Sequence, residues 1–367
     1  MANHCLSNAA PCTRRDFMKS AALTVAGVAV GISASGAEAT GKILNHNASM
    51  KYRRLGKTGL MVSCVCLGGH WKRLDTVIPG LFKTGGWLSM DLVTDPDFIK
   101  NRYDMVSKCM ETGMNYIDAC TGPEVMAYSK ALKGRRDQMF LGYSWYEKEA
   151  RNQEWRSTKK LLQGLDEGLK QADLDYVDLW RITCHEQGGD HTFTESEEII
   201  AALDTAKKQG KARFTGVSSH NRRWLKMMIE QYPQQMEVVV TPYTSNTKKR
   251  PTDSLFEAVK RCDVGIFGIK PFAGTSLFKG DSSPTSAEAE ADDLRARLAI
   301  RYILSNEAVT APIPGLVNFH QVENIAKAVD EHKKLGDQGL EALHRINQDT
   351  WAKLPANYQW LKDWEYV

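Results

Sequence analysis

The chain has 367 residues, 48 of them basic and 44 acidic, for a formal net charge of +4. That balance is too small and too mixed to select nucleic acid or an anionic membrane surface as a partner. With 42% hydrophobic and 25% charged residues, the composition is that of an ordinary globular protein rather than a disordered or membrane-embedded one.

The first predicted element is an export signal over residues 1–39. Thr13-Arg14-Arg15-Asp16-Phe17-Met18-Lys19 follows the twin-arginine pattern, a Gly- and Ala-rich apolar stretch runs from Ala21 to Ala34, and Ala37-Glu38-Ala39 offers a small-residue cleavage site. The apolar stretch is short for a bilayer span, and no later stretch is long enough for one, so no stable membrane anchor is expected. An N-terminal anchor helix is the alternative. The twin-arginine route exports folded proteins, which makes its machinery an expected transient partner and the periplasm the expected location.

From residue 40 two patterns alternate. Short apolar runs at 63–69, 115–120, 139–145, 177–183, 213–219, 237–243, 264–272 and 311–315 read as strands. Between and after them, 97–113, 124–137, 154–172, 195–209, 221–231, 254–262, 286–306 and 319–332 carry helical spacing. A strand followed by a helix, repeated around the chain, predicts an α/β fold of the (β/α)8 TIM-barrel type over residues 40–335. An open doubly wound sheet is the competing topology, but "CLGGHWKR" after the first strand lacks the G-x-G-x-x-G phosphate turn. The stretch 70–95 is long for a βα loop, and such loops at that face tend to be functional. Residues 336–367, with Trp351, Trp360 and Trp364, are predicted to form a helical tail packed on the barrel. Six cysteines follow the signal (Cys64, Cys66, Cys109, Cys120, Cys184 and Cys262), none in a C-x-x-C pair, and they read as scattered buried thiols with no metal site, an oxidised pair in the periplasm being the alternative.

At "KYRRLGKTGLMVSCVCLGG" (51–69) the chain resembles the start of an aldo-keto reductase. The resemblance continues through "NYIDAC", "DYVDLW", "FTGVSSHN", "GIKPFAG", "RYILSNEAVTAPIPG" and "QVEN" in family order, to about residue 332. It implies a (β/α)8 barrel with its active site at the C-terminal strand ends, a small-molecule carbonyl substrate and NADP or NAD as cofactor. Of the family's Asp, Tyr, Lys and His, only the Asp is matched, as Asp118. Thr121-Gly122-Pro123-Glu124 stands where the Tyr is expected, Ser144 stands at the Lys position and Thr183 at the His position. His185, two residues past Thr183, is a candidate for the pocket mouth, as are the acids Glu124 and Glu186. Tyr143 points to the opposite strand face, and Tyr128 falls on the following helix.

The resemblance also implies a cofactor site. Ser218 matches the residue that bonds the carboxamide, and Ser219 replaces the usual Asn. Lys270, Pro271 and Phe272 resemble the pyrophosphate loop, and Gly315, Gln321 and Asn324 the adenine end. Val317 stands where a basic residue often meets the 2′-phosphate, which removes a term favouring NADP.

One expectation follows from strand periodicity. Arg181 lies two residues before the inward Thr183, so both share a face, and an inward Asp118 without its family Lys needs a counter-charge. Asp118 and Arg181 are therefore predicted to pair, past the small Gly142 and Ser144 of the intervening strand. A one-residue shift that turns Arg181 toward the helices is the alternative. Three functional readings remain open: an exported nicotinamide-dependent oxidoreductase with an altered catalytic set, a redox-inactive barrel acting on carbohydrate, with Trp71, Trp87, Trp145 and Trp180 as stacking candidates, and a non-catalytic scaffold.

Overall fold

The computed structural model describes residues 42–82, 86–185, 191–247, 254–331 and 334–362. The export signal, Glu186 and Trp364 lie outside them. A hairpin of β1 (Tyr52–Arg54) and β2 (Met61–Ser63) leads into the barrel. Eight parallel strands follow: β3 (Leu67–Gly68), β4 (Tyr116–Ala119), β5 (Phe140–Tyr143), β6 (Val177–Thr183), β7 (Ala212–Ser218), β8 (Val238–Pro242), β9 (Gly265–Ile269) and β10 (Ala311–Ile313). They are hydrogen-bonded in chain order, the ordering that right-handed βα crossovers produce.

The seam between the last and first strands closes through backbone. Cys66 N–H donates to Pro312 O at 3.1 Å and Gly68 N–H to Pro314 O at 2.8 Å, with Gly68 bridged to Gly315. A Cβ on Gly315 would lie 2.4 Å from Gly69 O, so glycine is what allows the two chains to approach. One end of the lumen is filled by Leu55, Leu60 and Val62 from the hairpin, packed with Tyr116, Phe140, Leu179, Val238 and Phe267.

Around the barrel lie α1 (Pro96–Glu111), α2 (Gly122–Ala131), α3 (Thr158–Gln171), α4 (Phe193–Lys208), α5 (Arg222–Gln231), α6 (Leu255–Arg261), α7 (Ala289–Leu304) and α8 (Phe319–Asp330). Their starts carry expected signals. Asp95 caps α1 ahead of Pro96, and Thr192 and Glu195 form a capping box on α4. Thr121 caps α2 immediately after β4, which places Glu124 in the first helical turn, where the helix end favours a carboxylate.

The tail is helical as predicted. In α9 (Asp337–Ala352), Leu343 packs with Leu298 of α7 and with Leu335. Leu354 and Leu361 then cluster with Ala273, and the 3-10 stretch Ala356–Lys362 brings Asn357, Tyr358 and Trp360 over the barrel mouth. All six described cysteines are free. No helix among the described residues is long and apolar enough to cross a membrane.

Candidate active site

A cleft of about 500 Å³ opens at the C-terminal ends of the barrel strands. Asp118 and Arg181 both line it and pair as the strand period requires. Arg181 Nε donates to Asp118 Oδ1 at 3.0 Å, and Nη2 donates to Oδ2. Both side chains are buried, at 3% and 4% exposure. Gly142 leaves room for the Asp118 carboxylate and the Tyr116 hydroxyl, since a Cβ there would meet the hydroxyl at 2.0 Å and Asp118 Oδ1 at 2.9 Å. Burial pushes the Asp118 carboxyl up and outweighs the guanidinium, which pulls it back. For Arg181 burial opposes the charge, but Asp118 outweighs it and the net direction is upward. Arginine keeps its proton in proteins, and both Asp118 oxygens accept from it, which is the arrangement of an ion pair.

The network continues from Arg181. Its Nη1 donates to Thr183 Oγ1 at 3.1 Å, and Thr183 and Ser144 hydroxyls lie 2.7 Å apart. Ser144 donates onward to Glu149, a buried carboxylate that also accepts from Thr183 N–H at 2.7 Å, Trp145 N–H at 3.1 Å and Trp180 Nε1–H at 3.0 Å. Burial raises the Glu149 carboxyl against these donors. Thr183 lines the cleft, but Ser144 is fully buried behind it and touches no substrate space. His185 is a second correction. Strand β6 stops at Thr183, so the face alternation does not carry on to His185, whose ring packs on His191 at 4.3 Å instead of lining the cleft.

Two residues weighted lightly or not at all in the sequence form the polar wall. Glu124 Oε1 lies 2.8 Å from His70 Nδ1 and accepts from His70 N–H at 2.7 Å, while Oε2 accepts from Cys120 N–H at 2.8 Å. Burial opposes the Glu124 charge, but His70 and these backbone donors outweigh it and hold the carboxyl below its usual range. An ionised carboxylate offers no proton, so the Nδ1–H of His70 is the donor in that contact and Nε2 is the nitrogen available for proton exchange. Gly69 makes this possible, since a Cβ there would meet the Glu124 carboxyl carbon at 2.0 Å. His70 itself has a left-handed backbone, φ +55°, and its ring packs on Trp87 at 4.7 Å.

The other side of the cleft carries the residues implied for a cofactor. Ser218, Ser219, Lys270, Pro271, Phe272, Gly315, Gln321 and Asn324 all line it. His70 follows the first barrel strand and Ser218 ends the fifth of eight, so the two face each other across the mouth. Hydroxyls of Thr275, Ser282, Ser283 and Ser286, with the Lys270 ammonium, supply the donors a pyrophosphate needs. Two implied contacts are already used within the chain. Ser219 Oγ donates to His185 O at 3.1 Å and accepts from Asn221 N–H at 3.1 Å. Asn324 accepts from Arg297 at 2.5 Å and donates to Asp293 O at 3.2 Å. The set fits a dinucleotide through Ser218, the Lys270–Phe272 turn and the serine-rich loop, with Ser219 and Asn324 shaping the wall.

A sequence profile of the aldo/keto reductase family matches residues 100–348, more than half of the chain. The chain belongs to the aldo/keto reductase family. This aldo/keto reductase is 26% identical to L-galactose dehydrogenase of Arabidopsis thaliana over 196 residues, a match spanning 49% of the chain but only 61% of that relative. It is 21% identical to the uncharacterized oxidoreductase YrpG of Bacillus subtilis over 355 residues, covering 85% of the chain and 100% of the relative. Among solved structures, the aldo-keto reductase AKR11C1 from Bacillus halodurans in its holo form superposes with a TM-score of 0.56 at 21% identity, over 81% of this chain and 96% of that one. The fold is therefore that of the family.

The Asp118–Arg181 pair sets a stability prediction. Arg181→Leu leaves an uncompensated buried carboxylate and should destabilise by about 3–5 kcal/mol in urea unfolding. Adding Asp118→Asn should recover part of that loss, a coupling that two independent residues would not give.

Proposed function

We propose that the protein is an exported, nicotinamide-dependent oxidoreductase that interconverts an alcohol and a carbonyl on a hydroxyl-rich, sugar-type substrate, with His70 and Glu124 in the proton-transfer role. The reading is carried by one observation: His70 and Glu124 share a cleft with Ser218 and the Lys270–Phe272 turn, which lie across the barrel mouth. A bound nicotinamide accepts or supplies the hydride. In the oxidising direction, His70 Nε2 takes the hydroxyl proton while Glu124 holds the ring and stabilises the imidazolium that forms. Arg181 and Thr183 line the same cleft and place positive charge and a hydroxyl beside the developing oxyanion. Asp118, committed to Arg181, anchors the guanidinium and takes no part in proton transfer.

The substrate class is supported by the mouth. Trp87, Tyr146, Tyr358 and Trp360 line it, and aromatic faces stack on sugar rings, whereas Trp71, Trp145 and Trp180 are buried in the core. The partial match to a plant sugar dehydrogenase agrees. The adenosine end favours NAD over NADP. Val317 brings no charge, Asp293 is held by His320 at 2.7 Å, and Asp292 lines the same region, so a 2′-phosphate would meet carboxylates. Cofactor loading before export fits the twin-arginine signal, since the cytoplasm holds the nicotinamide pool.

In fluorescence titration, NADH should bind at least tenfold more tightly than NADPH. With an aldose panel, His70→Gln should lower turnover by about 10²–10⁴-fold while leaving NADH affinity within about twofold. Turnover unchanged in His70→Gln removes it from the chemistry. Failure to bind either cofactor would favour the redox-inactive carbohydrate barrel. Export is tested by Arg14→Lys with Arg15→Lys, which should leave the precursor in the cytoplasm; undiminished export would contradict the twin-arginine reading.

A further inference from the structure

We infer that His70, Cys120 and Glu124 form a binding site for a thiophilic divalent cation, zinc being the best fit, at the edge of the cleft. The three donors come from neighbouring elements: His70 from the turn after β3, Cys120 from the end of β4 and Glu124 from the first turn of α2. One ligand atom from each lies within 4.8 Å of the others. His70 Nδ1 is 2.8 Å from Glu124 Oε1 and 3.7 Å from Cys120 Sγ. In a tetrahedral zinc site with Zn–N and Zn–O near 2.1 Å and Zn–S near 2.3 Å, ligand atoms are separated by about 3.4 Å for N and O and about 3.6 Å for N and S. The nitrogen-to-sulfur spacing is already that of a zinc site. The carboxylate has to withdraw by about half an ångström, the difference between a hydrogen bond and a shared metal.

The donors are also held. Glu124 is fixed by the backbone N–H groups of His70 and Cys120, the kind of outer contact that orients a ligating carboxylate. His70 is kept in a left-handed conformation that an unconstrained histidine seldom adopts, at φ +55°, and Trp87 packs against its ring. All three residues line the cleft, so the fourth coordination position opens toward solvent. On binding, the Cys120 thiol releases one proton to solvent and becomes the thiolate ligand. The His70 ring remains neutral, its proton passing from Nδ1 to Nε2, and no electron is transferred.

Metal at Nδ1 replaces the hydrogen bond to Glu124 on which the proposed proton transfer depends, so bound zinc should inhibit turnover reversibly. That consequence rests on the proposed function, whereas binding itself does not. The test is cobalt titration of the reduced, metal-free protein in a Cys5→Ser, Cys12→Ser background, followed by absorbance. One Co²⁺ per chain should give a thiolate-to-cobalt charge-transfer band in the near ultraviolet, and zinc should bleach it. Cys120→Ser should abolish the band, His70→Gln should weaken cobalt affinity at least tenfold, and Cys262→Ser should leave both unchanged, with circular dichroism confirming folding of each variant. No band at saturating cobalt, or a band that survives Cys120→Ser, overturns the site. The readout uses only metal and protein, so it fails or succeeds separately from hydride transfer.

Discussion

A carboxylate and a guanidinium removed together from water inside the barrel decide what the surrounding side chains can be. Either charge alone would be costly there, and together they hold only if geometry and further hydrogen bonds compensate. The geometry is bidentate, and the small Gly142 leaves the Asp118 carboxylate its space. The third guanidinium nitrogen reaches Thr183, which adjoins Ser144 and through it Glu149. The positions where the family resemblance expects Lys and His are thus absorbed into one buried polar network. Asp118 and Ser144 are members of it, and in the proposed function proton transfer falls to the face of the cleft formed by His70 and Glu124.

The barrel was legible because short apolar runs alternate with stretches of helical spacing, and several helices start behind a capping side chain, as at Asp95, Thr121, Ser157, Thr192, Asn221 and Asn318. Arg181 was legible from strand alternation: a period of two puts it on the face of Thr183, and a lone inward carboxylate demands a cation. His185 failed where that rule stops, since alternation has no meaning once β6 has ended at Thr183. His70 was missed because nothing periodic marks a loop residue. Its signal was topological: the first residues after adjacent barrel strands are neighbours, so "GGH" after β3 and "CTGPE" after β4 had to meet. Glu149 had no such signal. It is reached through irregular turns that no repeat describes.

The cleft is also bounded by two segments without a counterpart in the βα repeat. Lys72 donates to the Tyr358 hydroxyl at 3.2 Å, and its ammonium lies 5.3 Å from the ring centres of both Trp87 and Tyr358. The long loop after β3 is thereby tied to the C-terminal tail across the mouth. Trp71 supports the arrangement from beneath by donating to Trp87 O at 3.0 Å, and Arg73 reaches across to Ser282 at 3.2 Å.

The central claim is that Asp118 has been withdrawn from proton chemistry and His70, oriented by Glu124, has taken it over. Nitrogen-15 NMR of the histidine side chains in the metal-free protein tests this without knowledge of the substrate. With His70 assigned by the loss of its signals in His70→Gln, the account predicts that the neutral ring carries its proton on Nδ1, and that Glu124→Gln shifts the population toward the Nε2–H form. A neutral His70 protonated on Nε2 and indifferent to Glu124→Gln would contradict it.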